Sequence, residues 1–228
     1  MTTILTIQTY PKKYIFFALL SIALFRIPLF FTKKISFYKL MGSGKNGTFD
    51  KNPDWQQWAI FIVFKENDLD KIEDINIVQH VYGKAIKKWF SIFNVHTKHI
   101  LLDPLEGHGK WDGKDPFELN KNTNSHDGQI AVLTRATIRL SKLKAFWSNV
   151  NGVADSMKQA DGLIYSIGIG EIPFIKQATF SIWKNKEQMK QFAYSMKTHR
   201  DVIQKTRRDN WYKEELFFRF EIIKIIEN

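Results

Sequence analysis

The stretch Ile167–Trp183 reads IGIGEIPFIKQATFSIW and indicates the unit from which the chain is built. A strand predicted at Leu163–Gly168 ends at Gly168-Ile-Gly170, and a short loop leads to a second strand at Gln177–Trp183. Alternation places three apolar residues of this second strand on one face: Ala178, Phe180 and Ile182. Pro173 stands where a dinucleotide-binding loop needs its third glycine, so the glycines indicate close backbone approach instead.

The same order of elements occurs earlier, where the strand Ile35–Met41 ends at Gly42-Ser-Gly44 and the strand Trp58–Phe64 follows. Each half is therefore predicted to have four strands and two helical regions. In the first half we expect strands at Thr3–Tyr10, Ile35–Met41, Trp58–Phe64 and Ile100–Asp103, and helices at Tyr14–Phe30 and Leu69–Phe93. In the second half we expect strands at Ile130–Ile138, Leu163–Gly168, Gln177–Trp183 and Leu216–Ile225, and helices at Lys142–Met157, Lys186–Met196 and His199–Asp209.

This order, strand-helix-strand-strand-helix-strand, is that of a ferredoxin-like unit. We therefore expect an α+β fold of two tandem ferredoxin-like halves, residues 1–120 and 121–228. Such halves commonly pair their sheets into a barrel of the dimeric α+β barrel type. The polar, turn-rich stretch 120–128 is the expected linker between them.

The composition excludes several kinds of site. Without cysteine the chain has no disulfide, no thiolate-bound zinc or iron–sulfur cluster, and no thiolate-ligated or covalently attached c-type haem. The net charge of +11 favours anionic surroundings. Lysines are dispersed and no nucleic-acid motif occurs, so we expect no nucleic-acid partner. The charge then serves solubility or attraction to a membrane surface.

The segment Tyr14–Phe31, YIFFALLSIALFRIPLFF, is long and apolar enough to contact a membrane. Arg26 and Pro28 interrupt it, and no small-residue cleavage site follows. We expect a buried helix or one that lies at the membrane surface, with a membrane span as the alternative.

His199 is the histidine that the pattern places best for a ligand. On a helix, Phe192, Val202 and Ile203 share its face, so the imidazole would point inward. An inward histidine is either a hydrogen-bonded core residue or the single protein ligand that a haem iron needs. His96 and His99 flank a helix end without nearby carboxylates and are poor metal ligands.

Several motifs resemble the spheroidene monooxygenase family, the carotenoid-oxidising enzymes of purple bacteria and their relatives. The similarity is dense over Gln129–Phe220, in the segments Ala131–Ile138, Phe146-Trp147, Ile167–Pro173, Gln177–Trp183 and the block from His199 through Trp211–Phe220. The first half fits at Phe37–Gly44 and Asp103-Pro104, while its apolar N-terminal helix departs from the pattern.

The resemblance implies a haem-dependent monooxygenase with haem b in the second half. It implies His199 as the axial iron ligand and Arg135 as the catalytic residue that meets a haem propionate or an iron-bound oxygen. Arg219 and Trp211 are the further cofactor-binding residues that it implies. Family members introduce a keto group into acyclic carotenoids through successive hydroxylations.

The resemblance therefore also implies a set of partners: a carotenoid-like substrate, dioxygen and an external electron donor. We expect a cytoplasmic protein peripheral to the inner face of the membrane. The alternative is a non-catalytic α+β barrel that carries haem or carotenoid. The visible spectrum and a turnover assay of the pure protein separate the two.

Overall fold

Eight strands form the frame of the chain in the computed structural model, which describes residues 2–45, 52–65, 74–117, 126–195, 205–206 and 208–228. The strands of the first half are β1 (Thr2–Thr9), β2 (Ile35–Gly44), β3 (Pro53–Phe64) and β4 (His96–Gly109). Those of the second half are β5 (Ile130–Ile138), β6 (Leu163–Ile172), β7 (Lys176–Trp183) and β8 (Tyr212–Glu227). The helices are α1 (Ile15–Leu24), α2 (Arg26–Phe31), α3 (Asp74–Ile92), α4 (Leu143–Lys158) and α5 (Lys186–Ser195).

The eight strands close into one barrel, in the order β1-β3-β2-β6-β7-β5-β8-β4, and every pairing is antiparallel. Within the first half the neighbours run β4-β1-β3-β2, and within the second half they run β8-β5-β7-β6. The strand order is therefore the same in both halves, which confirms the predicted pair of ferredoxin-like units in an α+β barrel. The boundary predicted between residues 120 and 121 lies outside the described residues.

Two seams join the halves. At the longer seam β4 pairs with β8, from Lys98 opposite Glu227 to Gly109 opposite Leu216. At the shorter seam β2 pairs with β6, and Gly42 lies opposite Gly170. A Cβ atom on Gly170 would lie 2.9 Å from the carbonyl oxygen of Lys176, so the backbones approach too closely for another residue.

Several elements differ in length or regularity from those predicted, and the helix predicted at Tyr14–Phe30 is divided into α1 and α2. β4 and β8 extend well beyond Ile100–Asp103 and Leu216–Ile225, and a register shift between Pro104 and Glu106 accommodates the proline within β4. α3 is interrupted at Gly83, whose φ of 78° is a left-handed conformation that favours glycine. The helix predicted at His199–Asp209 lies largely outside the described residues.

The interior of the barrel is filled by apolar side chains from all eight strands. Alternation decides which residues point inward: on β8, Phe218 and Phe220 are buried inside, while Phe217 and Arg219 face outward. Trp111 and Phe117, from the segment after β4, also pack into this core. Each fully buried aromatic side chain stabilises the fold by about 2–3 kcal/mol.

Outside the barrel, helices cover the sheet of each half and create two further layers. The first-half layer lies between β1–β4 and helices α1–α3, and a large cluster around Phe25, Tyr82 and Phe90 fills it. The second-half layer lies between β5–β8 and helices α4 and α5. Among its described residues, two smaller clusters form around Trp183 and Trp211.

Candidate functional site

Arg135 lies at one mouth of the barrel, on the interior face of β5, and only 1% of its side chain is exposed. Its guanidinium contacts three carboxylates. Nη1 donates to Oε1 of Glu214, and Nη2 lies 3.1 Å from Oδ1 of Asp112 and 3.5 Å from Oε1 of Glu171. A buried cation needs such partners, because an unpaired charge in the interior costs several kcal/mol.

Two lysines and a tryptophan extend this network. Nζ of Lys39 donates to Glu171 at 2.8 Å and also contacts Asp112, and Nζ of Lys176 donates to Asp112 at 2.6 Å. Nε1 of Trp111 donates to Oε1 of Glu171 at 2.7 Å. Three cations thus face three carboxylates in what we call the ion cluster: Lys39, Asp112, Arg135, Glu171, Lys176 and Glu214.

The turn after β4 fixes the acidic side of the cluster. The backbone N–H groups of Asp112 and Gly113 donate to the carboxylate of Glu214 at 2.8 and 2.7 Å. Partial burial acts to raise the pKa of Asp112, but hydrogen bonds from Lys176 and Lys39 lower this pKa to about 2. Desolvation likewise opposes the lowered pKa of Glu214, which the two backbone donors and Arg135 produce. Both carboxyl groups are therefore ionised at neutral pH.

The ion cluster joins the two halves. Lys39 belongs to β2 and Asp112 follows β4, whereas the remaining members come from β5 to β8. The sequence pattern predicted the position of Arg135 in the second half but not its partners. One signal was present: alternation puts Arg135 on the face of Ala131 and Leu133, and a buried cation requires carboxylates nearby.

Arg219 occupies the outer face of β8, in the second-half layer. Its Nη2 lies 2.8 Å from Oε2 of Glu106, and Nζ of Lys186 lies 2.8 Å from the other oxygen of that carboxylate. Its guanidinium lies 5.8 Å from the centre of the Phe217 ring. The Nε of Arg219 is buried without a hydrogen-bond partner among the described residues. The Nε of Arg135 and the Nε2 of His99 are likewise buried without a partner among the described residues.

Trp211 is buried at the other end of the second-half layer. It packs with Phe146 of α4, and its ring lies 5.7 Å from Nζ of Lys205. Its backbone N–H donates to the carbonyl of Thr206 at 3.1 Å. His199 lies outside the described residues, but α5 before it and Trp211 after it both belong to this layer.

The two arginines predicted at the haem lie on opposite faces of the sheet. Arg135 pairs in register with Leu216 and faces the interior, whereas Arg219 pairs with Val132 and faces the helices. One planar ligand in the second-half layer therefore reaches Arg219 without reaching Arg135. The structure brings Arg219 and Trp211 to the layer that also contains the described ends of the His199 segment.

The first-half layer contains a buried polar group on the corresponding strand. Nδ1 of His99, on β4, lies 2.8 Å from Oγ1 of Thr6, which also hydrogen-bonds the hydroxyl of Tyr82 in α3. Burial lowers the pKa of His99 to about 4, so the imidazole is neutral at pH 7. Thr6 lies opposite His99 and Val132 lies opposite Arg219, so both polar residues face the helices, on the corresponding strands β4 and β8. The pattern had placed His99 near a helix end, and the structure corrects this.

An antiparallel barrel closed by two ferredoxin-like halves, with helices outside each sheet, defines this chain as a dimeric-type α+β barrel. A solved structure of aldoxime dehydratase in complex with butyraldoxime has the same fold, with a TM-score of 0.62 over 97% of this chain and 79% of that one. At 10% identity this likeness concerns the fold alone. No protein-family model matches the chain.

Curated relatives identify the family. The chain is 35% identical over 199 residues to a spheroidene monooxygenase of Rhodobacter capsulatus, which covers 87% of this chain and 80% of that protein. It is 33% identical over 202 residues to a spheroidene monooxygenase of Cereibacter sphaeroides, of which it spans only 60% of the length. The chain belongs to the spheroidene monooxygenase family, which confirms the resemblance read from its motifs.

Proposed function

We propose that this protein is a haem-dependent monooxygenase that hydroxylates, and by repetition ketolates, a carotenoid or a similar long apolar molecule. The observation that carries the proposal is the 35% identity, over 87% of the chain, with a protein named spheroidene monooxygenase. The proposed chemistry and substrate rest on this sequence similarity, and the geometry supports a location for the ligands.

The second-half layer is the place that we propose for the ligands. The barrel interior is packed with side chains from all eight strands, which leaves no room there for a flat or extended molecule. A cleft of about 430 Å³ lies between α2 and β2, but its lining contains no histidine. Among the described residues no group of three or more metal-ligating side chains occurs.

The chemistry of three residues is suited to a haem bound in the second-half layer. Arg219 combines a cationic guanidinium, contact with the Phe217 ring and an Nε without a partner among the described residues, so it is suited to bind a propionate. We propose Trp211 as an apolar wall and His199 as the axial ligand. When bound, haem supplies the activation of dioxygen, and an external donor supplies the electrons. The protein contributes the ligand, the orientation and the exclusion of water.

Arg135 has a different setting. Its terminal nitrogens already bind three carboxylates, so contact with a propionate or an oxygen would require the ion cluster to open. We propose that Arg135 acts on catalysis by holding the two halves in register. The Arg135→Met variant tests both this structural role and the direct contact with haem that the resemblance implies.

The test is turnover by the reconstituted protein. Purified protein is loaded with haem, then incubated with an acyclic carotenoid, a chemical reductant and ¹⁸O-labelled dioxygen. We expect hydroxylated and keto products that carry the label. Bound haem or pigment without any labelled product would contradict the enzyme and favour a carrier.

Controls separate these outcomes. The reaction without reductant, and the reaction under nitrogen, should each yield no product. His199→Ala protein should lose turnover, whereas His108→Ala should retain it, because His108 is exposed and lies at the margin of the same layer beside Phe217.

A further inference from the structure

The N-terminal helices α1 and α2 form one nearly continuous apolar rod fixed to the outside of the first half. One face of this rod is buried against the barrel and α3, through Ala18, Ser21, Phe25 and Leu29. Phe25 contacts the ring of Trp89 in α3 at 5.7 Å. The rod is therefore a fixed part of the first-half layer, not a loose arm.

The opposite face of the rod exposes large apolar side chains. At about 100° of rotation per residue they all fall on the side of the rod away from the buried residues, and thus form one stripe. We call it the apolar ridge, and its large members are Phe16 (68% exposed), Leu19 (42%), Leu24 (39%), Ile27 (59%), Phe30 (73%) and Phe31 (73%). A contiguous exposed stripe of this kind marks an interaction surface, unlike single exposed apolar residues.

Charge identifies what the ridge faces. Basic residues flank it at both ends and at one edge: Lys12, Lys13, Arg26, Lys33 and Lys34. The first 49 residues contain no aspartate or glutamate. An apolar stripe with a basic border complements a bilayer that contains anionic lipids.

We propose that the apolar ridge docks the protein onto an anionic lipid bilayer, with the rod lying in the plane of the interface. The proposal goes beyond the monooxygenase function and does not depend on it. Within the described residues, Lys12–Phe31 is the helix long and apolar enough to span a membrane, and 22% of it is buried. A span would strip the buried face from the barrel and place Arg26 in the hydrocarbon, at a cost of about 2.5–3.5 kcal/mol for the charge alone.

Vesicle flotation tests the docking without haem or substrate. The full chain is mixed with vesicles of phosphatidylcholine, or of phosphatidylcholine with phosphatidylglycerol, and centrifuged through a density gradient. We expect the protein to float with the anionic vesicles and to remain largely unbound with the neutral ones. Alkaline carbonate should release it. Retention until detergent is added would overturn the interfacial arrangement in favour of a span.

Two variants locate the surface. The double variant Phe30→Asp/Phe31→Asp should weaken vesicle binding by about tenfold or more, because it removes two apolar anchors and adds repulsion from anionic lipid. Leu140→Asp is the matched control, since Leu140 is 70% exposed on the segment before α4, and it should bind like wild type. Equal loss in both variants, or none in the double variant, would overturn the proposal.

The basic border is tested separately. Lys12→Gln/Lys33→Gln should reduce the preference for anionic vesicles, whereas Lys144→Gln/Lys184→Gln, which removes two exposed lysines of the second half, should not. Sedimentation of the free protein tests the alternative that a second copy of the chain binds the apolar ridge. A stable dimer that Phe30→Asp/Phe31→Asp converts to a monomer, without any vesicle binding by wild type, would overturn the proposal in favour of a second copy.

Discussion

The two halves of this barrel share a strand order and differ in what they enclose. In the first-half layer, His99 is sealed with Thr6 and Tyr82 beneath three helices. In the second-half layer, Arg219 on the corresponding strand β8 pairs with a carboxylate that is 44% exposed. The two halves therefore share an architecture but differ in how exposed the polar groups of their outer layers are.

This difference explains why we assign the ligands to the second half. In the first-half layer, a flat cofactor would have to displace packed aromatic side chains. An arginine at the edge of an apolar layer has a donor to offer. The first half contributes instead the apolar ridge, the exposed surface that we propose docks onto a bilayer.

The largest effect is expected from the barrel interior. Phe218→Ala should destabilise the protein by about 4 kcal/mol, because Phe218 is 2% exposed and packs against Phe117 at 4.4 Å. Its neighbour Phe217 faces the second-half layer and is only partly buried, so Phe217→Ala should cost about 1 kcal/mol. Denaturant unfolding measures both. Equal losses would show that the inward and outward faces of β8 are assigned wrongly.

The two arginines offer the next comparison. Arg135→Met should destabilise the fold by about 3 kcal/mol, because it leaves Glu214, Asp112 and Glu171 without their buried cation. Arg219→Met should cost about 1 kcal/mol or less, since its partner is half exposed.

Haem affinity should show the reverse order. We expect Arg219→Met to weaken haem binding about tenfold, and Arg135→Met to leave it within a few-fold of wild type. Both are measured by titration of apo protein with haem. A larger loss of affinity in Arg135→Met than in Arg219→Met would restore Arg135 as a direct haem contact.

The burial of His99 in the first-half layer predicts that the stability of the protein depends on pH. The pKa of His99 is about 4 in the folded state and near 6.5 when exposed, so the unfolded chain binds more protons between these values. Its contribution to stability is complete above about pH 6.5 and falls as the pH is lowered, by on the order of 2 kcal/mol at about pH 5.

Unfolding of wild type and His99→Asn between pH 7 and 5 measures this slope. The stability of His99→Asn should fall less steeply as the pH is lowered from 7 to 5, since asparagine has no group that titrates in this range. Asp112 of the ion cluster does not contribute in this window, because its pKa is about 2. Parallel slopes in both proteins would show that His99 is not sealed.

Sequence periodicity predicted the architecture well. The alternation of Ala178, Phe180 and Ile182 and the recurrence of paired glycines contain enough information to predict the order of elements in both halves. Strand lengths failed at β4, because propensity treats Pro104 as a strand end while pairing with β8 overrides it.

The site was only partly predictable, for a different reason. The family resemblance led to Arg219 and Trp211, which the structure places in one layer. The ion cluster could not be predicted, because its members come from six separate places in the chain and meet only when the barrel closes. Local patterns contain no information on such contacts; they indicate only that buried Arg135 needs partners.

The most direct test of the account is the visible spectrum of haem-reconstituted wild type, His199→Ala, His108→Ala and His99→Asn. The account predicts a Soret band in wild type, in His108→Ala and in His99→Asn, and its loss in His199→Ala while the far-ultraviolet circular dichroism stays unchanged. Absence of the band in wild type would contradict the haem itself. An unchanged band in His199→Ala, together with its loss in His99→Asn, would move the haem to the first half and reverse the comparison between the two.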